Sequence, residues 1–203
     1  SFAFQSLFIN FLFRTEVSKK KFNKNKVDTI KLTFDSKFNN ISEESIIELE
    51  ILRQIDKSIN NSIGTFHEQI LGGITGFEVG NLSGFDIKAK DETLFALFQF
   101  DNTSSHIVKY VFDKLAEQAK FFKNATCYLV DFSSTDSFCD KWIIINGENS
   151  VSHKRVFKIS AGKFYALLSG QDDAILQLKN ALPIAIKDYL DAFIQKKVET
   201  IEV

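Results

Sequence analysis

Residues Ala125-Thr126-Cys127-Tyr128-Leu129-Val130 form a continuous apolar run of strand length. A strand wetted on one face alternates apolar with polar side chains, whereas an unbroken run needs cover on both faces. Helical periodicity lies on either side of this run, so the expected fold class is α/β, with helices flanking a mixed central sheet. At 203 residues the chain suits one domain with a substantial core. The expected division is 1–62 for a helical N-terminal part, 63–170 for the core and 171–203 for C-terminal helices.

Asn40-Ile41-Ser42-Glu43 offers an N-cap with Glu three residues on. Ile46, Ile47, Leu49, Ile51, Leu52, Ile55 and Ile59 follow at mostly helical spacing, predicting a helix that ends at Asn60-Asn61-Ser62-Ile63-Gly64. A short helical piece from Phe66 to Leu71 leads into Gly72-Gly73. Ser104 or Ser105 caps a second long helix, with Val108, Val111, Phe112, Leu115, Ala119 and Phe122 as its buried stripe. Trp142 to Ile145 and Val156 to Ile159 read as strands on either side of the turn signal Asn146-Gly147, with Trp142 at a half-buried face. Helices are expected from Ser160 to a stop at Gly170, from Ala174 to Leu182, and from Pro183 at the first turn of a last helix.

Phe2 to Phe13 is apolar but falls short of the roughly 20 residues that cross a bilayer, and it reads as an amphipathic docking helix rather than a membrane anchor. Lys19-Lys20-Lys21, Lys24 and Lys26 read as a solvated basic loop. A net charge of −1 excludes a uniformly basic coat but leaves room for local basic patches. Cys127 and Cys139 have neither CxxC spacing nor a nearby His, which argues against zinc and against a disulfide scaffold, and fits a cytoplasmic address. His67, His106 and His153 are too scattered for a motif, and no Gly-rich phosphate loop or Ser-His-Asp set stands out.

The segment that bears on chemistry is Ser83-Gly84-Phe85-Asp86-Ile87-Lys88, then the turn Ala89-Lys90-Asp91-Glu92, then Leu94-Phe95-Ala96-Leu97-Phe98-Gln99-Phe100-Asp101-Asn102-Thr103. It predicts two neighbouring strands with Asp86 near the start of the first. Side chains two apart share a face, so Leu97, Gln99 and Asp101 point one way while Ala96, Phe98 and Phe100 point into packing. A divalent cation needs hard oxygen ligands, and phosphodiester hydrolysis needs an activated water with charge stabilised on the phosphate. Asp86 could supply an oxygen; Leu97 cannot, and Gln99 offers only an amide dipole. Asp101 lies about 13 Å along the strand from Leu97, which leaves Glu68 and Glu78 as the other nearby acids. On the residues alone, Asp86 reads equally well as a hydrogen-bonded turn acid.

From His67 onward the chain resembles the type II restriction endonucleases that cut GGNCC, a family of the PD-(D/E)xK nuclease fold. The resemblance is carried by Phe66-His67-Glu68-Gln69-Ile70-Leu71-Gly72, Gly76-Phe77-Glu78, Gly84-Phe85-Asp86-Ile87, Leu94-Phe95-Ala96, Asn102-Thr103 and the run Ala125 to Val130. Further matches are Ile159-Ser160 with Lys163-Phe164-Tyr165, then Ser169-Gly170 and Ala181-Leu182-Pro183, and upstream Arg53-Gln54-Ile55-Asp56-Lys57-Ser58. The family's run after the turn, Phe-Ala-Glu-x-Lys-Asn-Lys-x-Asn-Thr, sets Leu97 at the Glu, Gln99 at the Lys and Asp101 at the second Lys.

The resemblance implies a restriction-endonuclease-like core and a homodimer on a short DNA palindrome. It also implies Mg²⁺ held by Asp86 and a water oriented by Gln99. Glu68, Glu78, Asp101 and Asn102 become accessory candidates, while Lys154, Arg155 and Lys163 are weak candidates for DNA contact. Two other readings stand beside the working nuclease: a DNA-binding pseudo-nuclease that has lost cleavage, and an interaction domain that pairs through its phenylalanine-rich N-terminal helix.

Overall fold

The computed structural model describes residues 29–80, 83–100, 105–147 and 149–201. The basic loop and the N-terminal docking helix expected from the sequence lie outside them, as do Asp101 and Asn102. The chain divides into two units, 1–70 and 71–203, each taken by itself. In the first unit α1 (Thr29–Asn39) is followed by α2 (Glu43–Gly72), whose last residues belong to the second unit. Asn40 has φ +53, a left-handed conformation that asparagine tolerates at a helix end, so it closes α1. The cap of α2 is therefore Ser42, whose Oγ accepts the Ser45 N–H at 3.2 Å, and not Asn40.

Two expected helix breaks do not occur. α2 runs straight through Asn60 to Gly64, because polar residues there bond within the helix: Asn60 Nδ2 donates to Asp56 Oδ2 at 3.3 Å and Thr65 Oγ1 to the Asn61 carbonyl at 3.3 Å. A single glycine costs a helix only about 1 kcal/mol, too little to end one this long. The C-terminal segment is likewise one helix, α5 (Ala174–Ile201), with Pro183 inside it. Proline removes the bond to the carbonyl four residues back, on Lys179; both residues are exposed, so water can satisfy that carbonyl.

The second unit is built on a six-stranded mixed sheet: β1 (Phe77–Val79), β2 (Ile87–Ala89), β3 (Leu94–Gln99), β4 (Thr126–Asp131), β5 (Cys139–Asn146) and β6 (Asn149–Ser160). The order is β1-β2-β3-β4-β6-β5. The β1–β2, β2–β3 and β5–β6 pairs are antiparallel; β3–β4 and β4–β6 are parallel. A parallel neighbour needs a crossover, and α3 (Ser105–Phe121) supplies it between β3 and β4. This is the α/β architecture expected, with β1 an additional short edge strand.

The central run is covered on both faces. Cys127 and Leu129 pack with Phe95, Phe112, Leu115, Ala119 and Val156 on the α3 side. Val130 packs on the other side with Ala96, Ile159 and with Phe164, Tyr165 and Leu168 of α4 (Ala161–Ser169). Trp142 is 8% exposed and meets the Phe112 ring edge-on at 5.4 Å between centroids, so it is core rather than half-buried. Only Val156–Ser160 of β6 pair with β4; its earlier residues pair with β5 alone, as a ribbon turning at Gly147. No helix among the described residues is long and apolar enough to cross a membrane.

Candidate functional site

A polar turn at residues 90–93 reverses the chain and fixes Ile87 opposite Ala96 and Lys88 opposite Phe95. Asp86 stands one residue ahead of that ladder. Its N–H donates to the Ala96 carbonyl at 3.0 Å, and its Oδ2 accepts the Phe98 N–H at 2.5 Å. The aspartate thus brackets Leu97, the position across the hairpin from it. Gly80 holds the other side: its N–H donates to the Asp86 carbonyl at 3.1 Å. Burial pushes the Asp86 carboxyl above its ordinary value, against the opposing pull of the Phe98 N–H and the Lys114 charge.

Leu97 does not project into a polar cleft. The sheet is covered on both faces, so its side chain packs against the α3-side core, while Phe98 on the opposite face joins the rings of Phe132, at 5.0 Å, and Phe164, at 6.3 Å. Leucine at this position extends the core instead of ligating a cation. Gln99 is half-buried and lies in register with Asp131 of β4. Glu78 is occupied, with Oε1 at 2.9 Å from the Lys88 ammonium. Glu68 belongs to α2 in the first unit. Among the described residues no three His, Cys, Asp or Glu side chains gather as a cation site.

Three charged residues that sequence reasoning passed over lie on the α3 side of the sheet. Asp131 ends β4 and is 5% exposed. Its Oδ2 meets the Lys158 ammonium at 2.6 Å, and its Oδ1 accepts from Ser133 N at 2.9 Å, Ser133 Oγ at 2.6 Å and Ser134 N at 3.2 Å. Burial pushes this carboxyl up, but the hydrogen bonds from Lys158 and Ser133 outweigh it and hold Asp131 below its ordinary value. The register sets Gln99 beside Asp131, and Leu97 beside Leu129, which pairs with Lys158. Lys114 of α3 donates to the Gly84 carbonyl and lies over the Phe85 ring, 4.8 Å from its centroid. No local motif announces these residues, because parallel pairing and a helix crossover bring them in.

The weak DNA-contact candidates separate. Lys154 and Lys163 are exposed. Arg155 turns inward: one guanidinium nitrogen donates to the Ala119 carbonyl and its Nε is buried without a hydrogen-bond partner among the described residues. Its charge opposes the burial that pushes the neighbouring Cys127 thiol up to about 12. His67 is half-buried, its ring edge-on to Phe66 at 5.6 Å, and burial holds the imidazole down at about 4.

The profile described as Eco47II restriction endonuclease matches residues 5–191. The type II restriction enzyme Sau96I of Staphylococcus aureus is 37% identical over 191 residues, covering 87% of this chain and 72% of the relative. The type II restriction enzyme Eco47II of Escherichia coli is 25% identical over 191 residues, covering 86% of this chain and 77% of the relative. No solved structure matches.

Proposed function

We propose that this chain, which belongs to the Eco47II restriction endonuclease family, binds a GGNCC-like palindrome in duplex DNA as a homodimer in the cytoplasm, with metal-dependent phosphodiester hydrolysis weakened. Two-fold symmetry in the site favours a two-fold protein. The observation that carries the reading is the hairpin: Asp86 bonds on both sides of Leu97, and Leu97 lies in the core. A Mg²⁺ ion prefers several hard oxygens. The residues present do not fit a site of two carboxylates and a lysine, since Asp86 offers one carboxylate, Leu97 none and Gln99 no charge. Asp86 remains the metal-ligand candidate and Gln99 the candidate partner of the attacking water.

The same mismatch favours a second reading, a pseudo-nuclease that grips DNA without cutting it. Incubation with GGNCC-containing plasmid and Mg²⁺ or Mn²⁺ decides between them. Slow, discrete fragments that vanish with EDTA and in Asp86→Ala support weakened hydrolysis. A salt-dependent gel shift without fragments supports the second reading, and no binding at any salt removes both. The double change Leu97→Glu with Gln99→Lys is expected to raise cutting at least tenfold if the hairpin is the reaction centre; no gain would sink that assignment.

A further inference from the structure

We propose that Lys114 of α3 is the phosphate-binding cation of the hairpin site, in the place of the lysine that position 99 lacks; this rests on the reading that the chain binds duplex DNA. Gly84 and Phe85 immediately precede Asp86, and both turn toward one ammonium group. The Gly84 carbonyl accepts a hydrogen bond from it, and the Phe85 ring lies under it at 4.8 Å from the centroid. Gly84 has φ +71, and a Cβ built there would come within 3.2 Å of Lys114 Nζ. The stem is anchored too, because the adjacent helix positions Phe112 and Leu115 are 2% and 0% exposed.

What singles out Lys114 is how its charge is met. Lys88 and Lys158 on the same sheet face carboxylates at 2.9 and 2.6 Å, and Lys109 on the same helix faces Asp113 at 2.7 Å. Those pairs are close to neutral. Lys114 is held by a carbonyl and a ring face, which orient an ammonium without cancelling its charge, and its field reaches Asp86. Of the three donors an ammonium carries, the Gly84 carbonyl takes one. The others can serve an oxygen of a phosphodiester docked beside Asp86.

The test is the salt dependence of binding between the full chain and a GGNCC duplex in EDTA, read by fluorescence anisotropy. Neutralising one phosphate-contacting cation should make the slope of log K against log salt shallower by about 0.9. That is expected for Lys114→Met, with the slope restored in Lys114→Arg and unchanged in Lys179→Met, an exposed lysine on α5. If Lys114→Met melts early, Lys114→Gln keeps a donor for Gly84 without the charge and carries the same expectation. A wild-type slope in a folded uncharged variant, or an equal change in Lys179→Met, overturns the proposal while leaving DNA binding in place. Absence of binding by the wild type at any salt removes the DNA reading first, and this proposal with it.

Discussion

An aspartate whose carboxyl is driven up by burial destabilises the fold when ionised. The folded chain holds the Asp86 proton more tightly than the unfolded chain does, so stability falls as pH rises from 3.8 through the raised folded value, and stays lower at neutral pH. Asp86→Asn keeps an oxygen for the Phe98 N–H and removes the charge. At pH 7 it is expected to gain on the order of 1 kcal/mol, or about 2–4 °C in Tm for a chain this size. A calorimetric Tm that is unchanged or lower would contradict the buried-charge reading. Leu97→Glu works the other way: it removes core packing and sets a second carboxylate beside Asp86, a loss of roughly 1–3 kcal/mol in EDTA. Mn²⁺ or Mg²⁺ should recover part of that loss, because a ligand that binds only the folded state stabilises it. A Tm for Leu97→Glu that ignores the cation would show that the two positions do not share a ligand. The Asp86–Leu97 pairing was legible in the sequence because a four-residue turn fixes antiparallel register locally. Asp131, Lys158 and Lys114 were not, because each reaches the site from an element that no local spacing ties to the hairpin.

Elements obey their own logic. The β1–β2 connection depends on Gly80, where a Cβ would come within 2.3 Å of the Phe85 carbonyl oxygen and 2.8 Å of Ser83 Oγ. Backbone cannot yield to that, so Gly80→Ala is expected to cost about 1–3 kcal/mol and to displace Phe85 and Asp86 with it. Denaturant melts and loss of DNA binding would check both consequences, and a silent variant would mean that the loop is not held as described. Pro183→Ala should have the opposite sign, restoring one helical bond for a gain of up to about 3 kcal/mol, seen as increased helical signal and a later melt. The stripe of α3 and the doubly covered β4 were legible because apolar periodicity is a direct record of burial. The continuity of α2 and α5 was not, since Asn60, Asn61, Gly64 and Pro183 carry break signals that a long helix can absorb. Asn40 misled for a related reason: asparagine suits both the end of one helix and the start of the next.

At the scale of the molecule, acid should weaken the fold. The unfolded chain protonates His67 near 6.5, but burial delays this in the folded protein to about 4, so stability falls as pH drops through that window. Asp131, held below its ordinary value, adds a further loss below 3.8. Guanidinium melts at pH 7 and pH 5 should show a lower midpoint at pH 5, and His67→Gln should narrow the gap; equal midpoints in the unmodified protein would refute the assignment. The family was legible as a series of short matches in order, whereas the departure at Leu97 acquired meaning only once its burial was known. The β5–β6 ribbon has a practical use. Gly147 is exposed at its tip, with φ +65 and nothing within 4 Å of an added Cβ. Lys158 lies nine residues beyond Asn149, roughly 30 Å up an extended strand. A cysteine-coupled dye or a short epitope grafted at that tip would report on capture of a nucleic-acid duplex from a distance, without crowding the acid that any chemistry needs.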